Sequence, residues 1–194
     1  MITDARANVM LDAEYATGDL LSLHTAFSTT GANEVSGGSY ARQAITWAAA
    51  ASRAKSKTGT ISVPVPAAAT VAWVGVWNSA GSTFKGMTPN GGSDKTFQVD
   101  LTNNRIYCEG SGYANDDRVT FTGTPPTGLT QGTHYYVVGV TPGDPDYFQV
   151  AATQGGAAID ITGQHAANCV VSKITIETYA SAGNHEITAL TVSL

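Results

Sequence analysis

The chain opens with a short segment whose apolar residues repeat with the period of a helix. Thr3 is a residue that can cap a helix, and Asp4 lies in the first turn, where a negative charge is favourable. Three apolar residues fall near one face of this segment: Ala5, Val9 and Ala13. We therefore predict a helix from Thr3 to about Tyr15, within an N-terminal arm of residues 1–17.

From residue 20 the hydrophobic pattern changes to the period of two that β-strands show. Leucines alternate with polar residues at 20–24, and further strands are predicted at 40–50, 60–64 and 83–87. The segment 71–77 is apolar on both faces, which is typical of a strand between two layers. Three tryptophans are the predicted anchors of the core: Trp47, Trp73 and Trp77.

Beyond residue 95 the predicted strands become shorter, and turns rich in Gly, Pro, Asp and Asn separate them. The sequence TFQVD at 96–100 is echoed by YFQVA at 147–151, and both are predicted strands. Other short strands are predicted at 105–109, 118–122, 134–140 and 157–161. About six strands in about 75 residues favour a small β-sandwich or barrel.

The last stretch, 174–194, returns to longer alternation and could pair with the first domain. We therefore predict an insertion, in which a β-domain of residues 18–95 is closed by 174–194 and carries a small domain of residues 96–173. Strands near both ends of a sandwich usually pair, and insertions are tolerated at exposed loop tips. Two domains in series are the alternative.

Composition agrees with an all-β protein. The chain has 42% hydrophobic and 13% charged residues, which is a globular balance, and its 21 glycines favour short strands joined by turns. Ten basic residues against 15 acidic ones give a net charge of −5, and no Lys/Arg cluster occurs. The charge argues against nucleic acid as a partner.

The start of the chain lacks the basic and then apolar run of a signal peptide, and no apolar stretch approaches the roughly 20 residues of a membrane helix. We expect a soluble protein that is made in the cytoplasm and has no membrane partner. In that compartment Cys108 and Cys169 are expected to be buried thiols, although a single bridge between them stays open.

Two sets of motifs stand out. Those of the first domain are LSLHTA at 21–26, GANEVSGGSYAR at 31–42, ITW at 45–47 and GVW at 75–77. Those of the small domain are NDDRVTF at 115–121, PTGLT at 126–130, THYYVV at 133–138, YFQVAAT at 147–153 and GAAI at 156–159. The first set resembles minor structural proteins of tailed bacteriophages, especially those of actinobacteria. The second resembles a small module of phage tail, fibre and decoration proteins.

The resemblance implies a virion component, namely a minor tail, tail-fibre or capsid-decoration protein, with no catalytic residues. It also implies a jelly-roll-like first domain. The expected fold is then all-β: a jelly-roll-like β-sandwich with a short N-terminal helix and a small inserted β-sandwich or barrel. Expected partners are other virion proteins and other copies of the chain, in a trimer or hexamer, because virion positions are symmetric.

One charged pair lies within the first set of motifs. Glu34 and Arg42 could pair across the Gly37-Gly38 turn and hold the long loop. The alternative is two solvated charges of little energetic value.

Neither a catalytic site, a cofactor site nor a metal site is predicted. A hydrolase triad of His24, Ser39 and Asp100 would lack the GxSxG elbow and any sequence support for its geometry. The other histidines have no ligand spacing, and turn chemistry explains Asp144 and Asp146 better than a calcium site does.

Aromatic residues suggest a second function, which is binding of a host surface glycan at the tail tip. Tyr135 and Tyr136 are adjacent in a predicted strand and must point to opposite faces, so one of them could be exposed. A third function, hydrolysis of the cell wall, is disfavoured because no acid pair is apparent. The structural function is preferred.

Overall fold

The computed structural model describes residues 2–140 and 143–194, so Met1 of the predicted arm lies outside the described residues. The described chain forms a helix, α1 (Asp4–Glu14), and these strands: β1 (Leu20–His24), β2 (Gln43–Ala44), β3 (Ala54–Ser56), β4 (Ile61–Val65), β5 (Thr70–Val71), β6 (Trp73–Trp77), β7 (Phe84–Pro89), β8 (Gln98–Asp100), β9 (Arg105–Tyr107), β10 (Arg118–Thr122), β11 (His134–Val138), β12 (Tyr147–Ala151), β13 (Val170–Lys173), β14 (Glu177–Thr178), β15 (Gly183–Ile187) and β16 (Thr191–Ser193). The predicted all-β class with a short N-terminal helix is confirmed.

The chain divides into two compact units. Unit 1 comprises Met1–Thr88 and Ile176–Leu194, and unit 2 comprises Pro89–Thr175. In sequence, unit 2 therefore interrupts unit 1. The boundaries predicted from the sequence lie after residues 95 and 173.

Unit 1 contains a long antiparallel ribbon, in which β5, β4 and β3 pair in turn with β14, β15 and β16. The register is continuous from Val71 opposite Glu177 to Ile61 opposite Ile187. Between this stretch and the pair of β3 with β16 the register shifts by one residue, so that Lys55 lies opposite Val192. The ribbon continues with β6 paired to β7. The four pairs therefore follow one another along the ribbon, as they do in a jelly roll.

Strands β1 and β6 belong to a four-stranded sheet with the order β2-β1-β6-β7. One face of β1 and β6 contributes Leu21, Leu23, Val74 and Val76 to the hydrophobic core of unit 1. Of the predicted anchors, Trp47 belongs to this core cluster, whereas the buried Trp73 and the half-buried Trp77 lie outside it. The other face of β1 and β6 is therefore also covered, and Trp73 and Trp77 lie on it.

Unit 2 contains a six-stranded sheet with the order β13-β10-β11-β12-β9-β8. Lys95, just before β8, exchanges two backbone hydrogen bonds with Val171 of β13, at 2.9 and 3.0 Å. These bonds close the sheet into a small barrel. Its interior is filled by a cluster of apolar residues that includes Phe121, Phe148 and both cysteines, which are free and buried.

Two predicted strands are wrong in extent. Within 40–50 only Gln43–Ala44 forms a strand. Trp47 makes an isolated bridge with Lys57, and Ala50 N–H bonds to the side chain of Asp12 instead of continuing that pairing. Segment 157–161 is not a strand. It makes one isolated bridge to β12, at Ala158 opposite Ala151. Beyond that bridge the side chain of Asn104 accepts from Ile161 N–H and donates to Ile159 O.

Candidate functional site

The motif residues of unit 1 meet on the second face of β1 and β6. In the register, Ser22 lies opposite Gly75 and His24 lies opposite Trp73. The loop that follows β1 covers this face, since Gly31 packs against the Trp77 ring and Ala32 O contacts the His24 ring. We call the resulting set of polar contacts the loop network.

A chain of hydrogen bonds runs through the loop network in one direction. The three distances are 3.0 Å from Trp77 Nε1 to Ser22 Oγ, 2.7 Å from Ser22 Oγ to His24 Nε2 and 2.9 Å from His24 Nδ1 to Ala32 O. A carbonyl oxygen can only accept, so Nδ1 of His24 carries the proton. Nε2 then accepts from the Ser22 hydroxyl, whose oxygen accepts from Trp77.

His24 is held neutral by its surroundings. Burial lowers the pKa of His24 below its ordinary value and outweighs the bond to Ala32 O, which raises it. Ser22 and His24 are both completely buried. The pair has the composition of a catalytic dyad, but here its contacts orient the Trp77 indole.

Glu34 and Arg42 form the charged part of the loop network. Arg42 Nε and Nη2 donate to the two carboxylate oxygens of Glu34 at 2.8 and 2.7 Å, which is a bidentate pair. The guanidinium carbon also lies 3.7 Å from the centre of the Trp77 ring, and Nη1 donates to Gly81 O at 2.9 Å. Both side chains are mostly buried, with 24% of Arg42 and 19% of Glu34 exposed.

Tyr40 joins this pair to the sheet. Its hydroxyl donates to Glu34 Oε1 at 2.9 Å and accepts from Leu23 N–H at 3.0 Å. Burial raises the pKa of Glu34, but the hydrogen bonds from Arg42 and Tyr40 outweigh it, so the net pKa lies below the ordinary value. Glu34 is therefore a carboxylate at neutral pH.

Two motif glycines are required by close packing in the loop network. A Cβ atom on Gly75 would lie 2.6 Å from both Ser22 Oγ and His24 Nε2. A Cβ atom on Gly31 would lie 2.3 Å from the Trp77 ring, and its φ of +81° also disfavours other residues. These glycines explain why the motifs combine Gly with Ser, His and Trp.

Sequence reasoning singled out Glu34 and Arg42 but missed the Ser22, His24 and Tyr40 contacts. One signal in the sequence could have indicated these contacts. Ser22 and His24 are two residues apart in a strand and so share a face, and both belong to the same set of motifs as Tyr40.

In unit 2 the two candidate surface tyrosines differ. Tyr135 is buried, and its hydroxyl accepts from Thr130 N–H at 2.8 Å. Tyr136 is half-buried on the opposite face, where its hydroxyl accepts from Arg118 Nε at 3.2 Å. Only Tyr136 lies on the outer face of the barrel.

A second aromatic group on the barrel was not predicted. The rings of Tyr107 and Tyr147 lie 4.9 Å apart, and the guanidinium of Arg105 lies 4.7 Å from the Tyr147 ring centre. Arg105 also lies 3.9 Å from Asp144. We call these four residues the tyrosine shelf. Planar rings next to a guanidinium and a carboxylate could bind a polar ring such as a sugar.

Asp146, one of the two residues considered for calcium, and two other aspartates of unit 2 have turn functions. Asp146 Oδ1 accepts from Gly110 N–H at 2.9 Å, and Asp117 Oδ2 accepts from Ala114 N–H at 3.0 Å. Asp100 accepts from the backbone of Thr102 and Asn103 in its own turn. Over residues 2–140 and 143–194, no group of three or more potential metal ligands was found.

The described part of the chain holds no helix that is both long and apolar enough to cross a membrane.

Residues 13–93 match the family of the podophage GP4 fiber I protein gp80. The match covers less than half of the chain and includes the whole loop network. No curated protein and no solved structure matches the chain. The match to the fibre family supports the conclusion that this chain is a structural protein of a bacteriophage tail, and hence a component of the virion. The matched family is that of a podophage fibre protein.

Proposed function

We propose that this chain is a structural component of a tailed-phage virion, at the tail, which acts by oligomeric assembly and by presenting a surface. One observation carries the proposal: the segment similar to the fibre family coincides with the loop network. In that segment the polar side chains of the motifs bond to one another and to the backbone of the same unit. The motif residues therefore build a rigid part.

We further propose that the chain is not an enzyme. The Ser22–His24 pair is completely buried, and the group that orients His24 is a backbone carbonyl rather than a carboxylate. Because the Ser22 hydroxyl is completely buried, a substrate cannot reach it, and the pair supports the loop instead.

The test is a cryo-electron microscopy map of purified particles, combined with mass spectrometry of their proteins. We expect stoichiometric presence and density at the tail, and loss of that density in particles from a phage that lacks the gene. Density on the capsid surface would replace the tail assignment with capsid decoration. Absence of the chain from the particle would overturn the structural proposal.

A second candidate function is glycan binding, and the tyrosine shelf favours it. Two neighbouring tyrosines with an adjacent guanidinium and carboxylate offer both an apolar face and hydrogen-bond partners for a pyranose. The test is saturable binding of the purified protein to envelope polysaccharide of the host. We expect Tyr147→Ala to abolish binding and Gln131→Ala, an exposed change in the same unit, to preserve it. Absence of saturable binding by the native protein would remove this candidate.

A further inference from the structure

Helix α1 has an unusual orientation on unit 1. Only Ala7 and Leu11 of the helix are buried. Much of its attachment is polar: Lys55 Nζ lies 2.6 Å from Asp12 Oδ1, and Arg53 N–H donates to Asn8 Oδ1 at 2.9 Å. The helix therefore turns charged and amide side chains towards its own unit.

The opposite side of α1 is apolar and exposed. The stripe predicted from the sequence, Ala5, Val9 and Ala13, lies on this side, where all three residues are exposed. Val9 is 68% exposed and the adjacent Met10 is 47% exposed. Among the described residues, α1 supplies two of the four large apolar side chains that are exposed, the others being Leu101 and Leu194. We call Ala5, Val9 and Ala13 the outer face of α1, and Met10 lies beside it, beyond Arg6.

Charges of opposite sign flank this outer face. At 3.6 residues per turn, Arg6 and Asp12 project about 60° to either side of Val9. Both residues are exposed, and 45% of the Asp12 side chain is accessible although it pairs with Lys55. An open depression of about 520 Å³ lies beside the stripe and is lined by Ile2, Thr3, Arg6 and Met10.

We propose that the outer face of α1 binds the same face of α1 in further copies of this chain, so that the helices form a parallel bundle around a symmetry axis. This inference rests on the proposed function. It identifies the partner in the proposed assembly and the surface through which the partners make contact.

The small residues of the outer face and the opposite charges on its two sides fit another copy of the same helix as the binding partner. In a parallel bundle one flank of each helix faces the opposite flank of its neighbour, which brings Arg6 next to Asp12 of the neighbouring copy. Ala5 and Ala13 are small and allow the helix axes to approach closely. Val9 then loses its exposure to water, and a neighbouring side chain can enter the depression that Met10 lines.

The size of the face sets the kind of oligomer. An 11-residue helix is about 16 Å long, and one such contact buries far less than the roughly 1,200 Å² of a stable interface. Each helix is therefore expected to contact two neighbours in a closed ring, as in cyclic symmetry. The association should depend on protein concentration.

The first test is light scattering on the full chain as it elutes from a size-exclusion column. We expect an oligomer for the native protein and a mass of one 20.0 kDa chain for Val9→Asp. The matched control is Leu101→Asp, a similarly exposed apolar residue of unit 2, which should keep the oligomer. Circular dichroism of both variants verifies that they fold. A native chain that is monomeric at all concentrations would overturn the inference.

Cysteine cross-linking tests the direction of the helices. In a parallel bundle identical positions meet, so Ala5→Cys should form a disulfide-linked dimer under mild oxidation. The native chain, whose two cysteines are buried, should form none. Cross-linking only between Ala5→Cys and Ala13→Cys in a mixture would contradict the parallel arrangement. An oligomer that persists in Val9→Asp would overturn this contact but leave assembly, and thus the proposed function, intact.

Discussion

At the scale of the residue, Arg42 combines three interactions that few other side chains could make together. It forms the bidentate pair with Glu34, lies over the Trp77 ring and donates to Gly81 O. A guanidinium is planar and has five donors, whereas the ammonium of lysine is a compact charge that can neither form the same pair nor stack as well. The loop network therefore depends on arginine, not only on a positive charge.

We expect Arg42→Ala to lower the free energy of unfolding by about 3 kcal/mol, because it leaves the mostly buried Glu34 carboxylate without its partner. Arg42→Lys should cost about 2 kcal/mol, since the charge stays but the geometry is lost. Urea unfolding followed by tryptophan fluorescence measures both. The control is Asp144→Ala, which breaks the more exposed contact with Arg105 and should cost less than about 1 kcal/mol. Equal losses for Arg42→Ala and the control would contradict a stabilising function of the pair.

The histidines predict how stability depends on pH. Burial lowers the pKa of His24, His134 and His185 in the folded protein. The unfolded chain takes up protons at the ordinary pKa of about 6.5, so below that pH it binds more protons than the folded state. The histidine contribution to stability should therefore be constant above about pH 7 and fall as the pH is lowered towards 5.

His24→Gln should reduce this pH dependence between pH 7 and 5, by up to about 1.4 kcal/mol per pH unit. Urea unfolding at several pH values measures the slope, which is separate from any constant loss of stability caused by the substitution. Equal slopes for the native protein and His24→Gln would show that His24 can be protonated without unfolding. The low pKa of Glu34 adds a further loss only as the pH falls below about 4.3.

At the scale of the element, Lys85 joins β7 to the segment that connects α1 with β1. Its ammonium lies 2.9 Å from both carboxylate oxygens of Asp19 and also donates to Glu14 O. The pair is almost completely buried, with 9% of the Lys85 side chain and 2% of the Asp19 side chain exposed. A charge in that position must keep its partner.

Lys85→Met should lower the free energy of unfolding by about 3 kcal/mol, because Asp19 would be left buried and unpaired. The double variant Asp19→Asn with Lys85→Met removes both charges and should recover most of the loss. Chemical denaturation measures the two values. If the double variant were as unstable as the single one, the cost would arise from lost packing rather than from the unpaired charge.

The strands that the sequence predicts best are those of the barrel. Arg118–Thr122 and Tyr147–Ala151 have the predicted bounds, because alternation between an apolar interior and an outer face is complete there and turns flank each strand. Segments 40–50 and 157–161 alternate as well, but each also makes an isolated bridge to neighbouring backbone, and the distant side chains of Asp12 and Asn104 bond to backbone groups beyond those bridges. Local patterns do not reveal such partners.

The loop network shows the same limit for the site. Glu34 and Arg42 are eight residues apart and could be paired from the sequence, whereas Trp77 and Ser22 are 55 residues apart and meet only because β1 pairs with β6. For α1, the spacing places Ala5, Val9 and Ala13 on one face, but periodicity alone does not tell whether unit 1 or another molecule covers that face.

At the scale of the whole molecule, unit 2 has the properties of an independent domain. Its barrel is closed, it has its own hydrophobic cluster, and its two ends are adjacent because Thr175 N–H donates to Asn90 O at 2.8 Å. Unit 1 depends on the other end of the chain, since β3, β4 and β5 find their partners in β16, β15 and β14. The two units should thus respond differently when the chain is cut.

We expect a fragment of residues 89–175 to fold on its own and to unfold cooperatively in a circular dichroism melt. Removal of 176–194 should unfold unit 1 while unit 2 stays folded, because the loss exposes three strands of the ribbon but no strand of the barrel. All three tryptophans lie in unit 1, so their fluorescence follows unit 1 alone. Replacing 89–175 by a short Gly-Ser linker should keep the native tryptophan fluorescence, since the replaced segment begins and ends at neighbouring points. A truncated chain that kept this fluorescence would show that unit 1 does not need the ribbon.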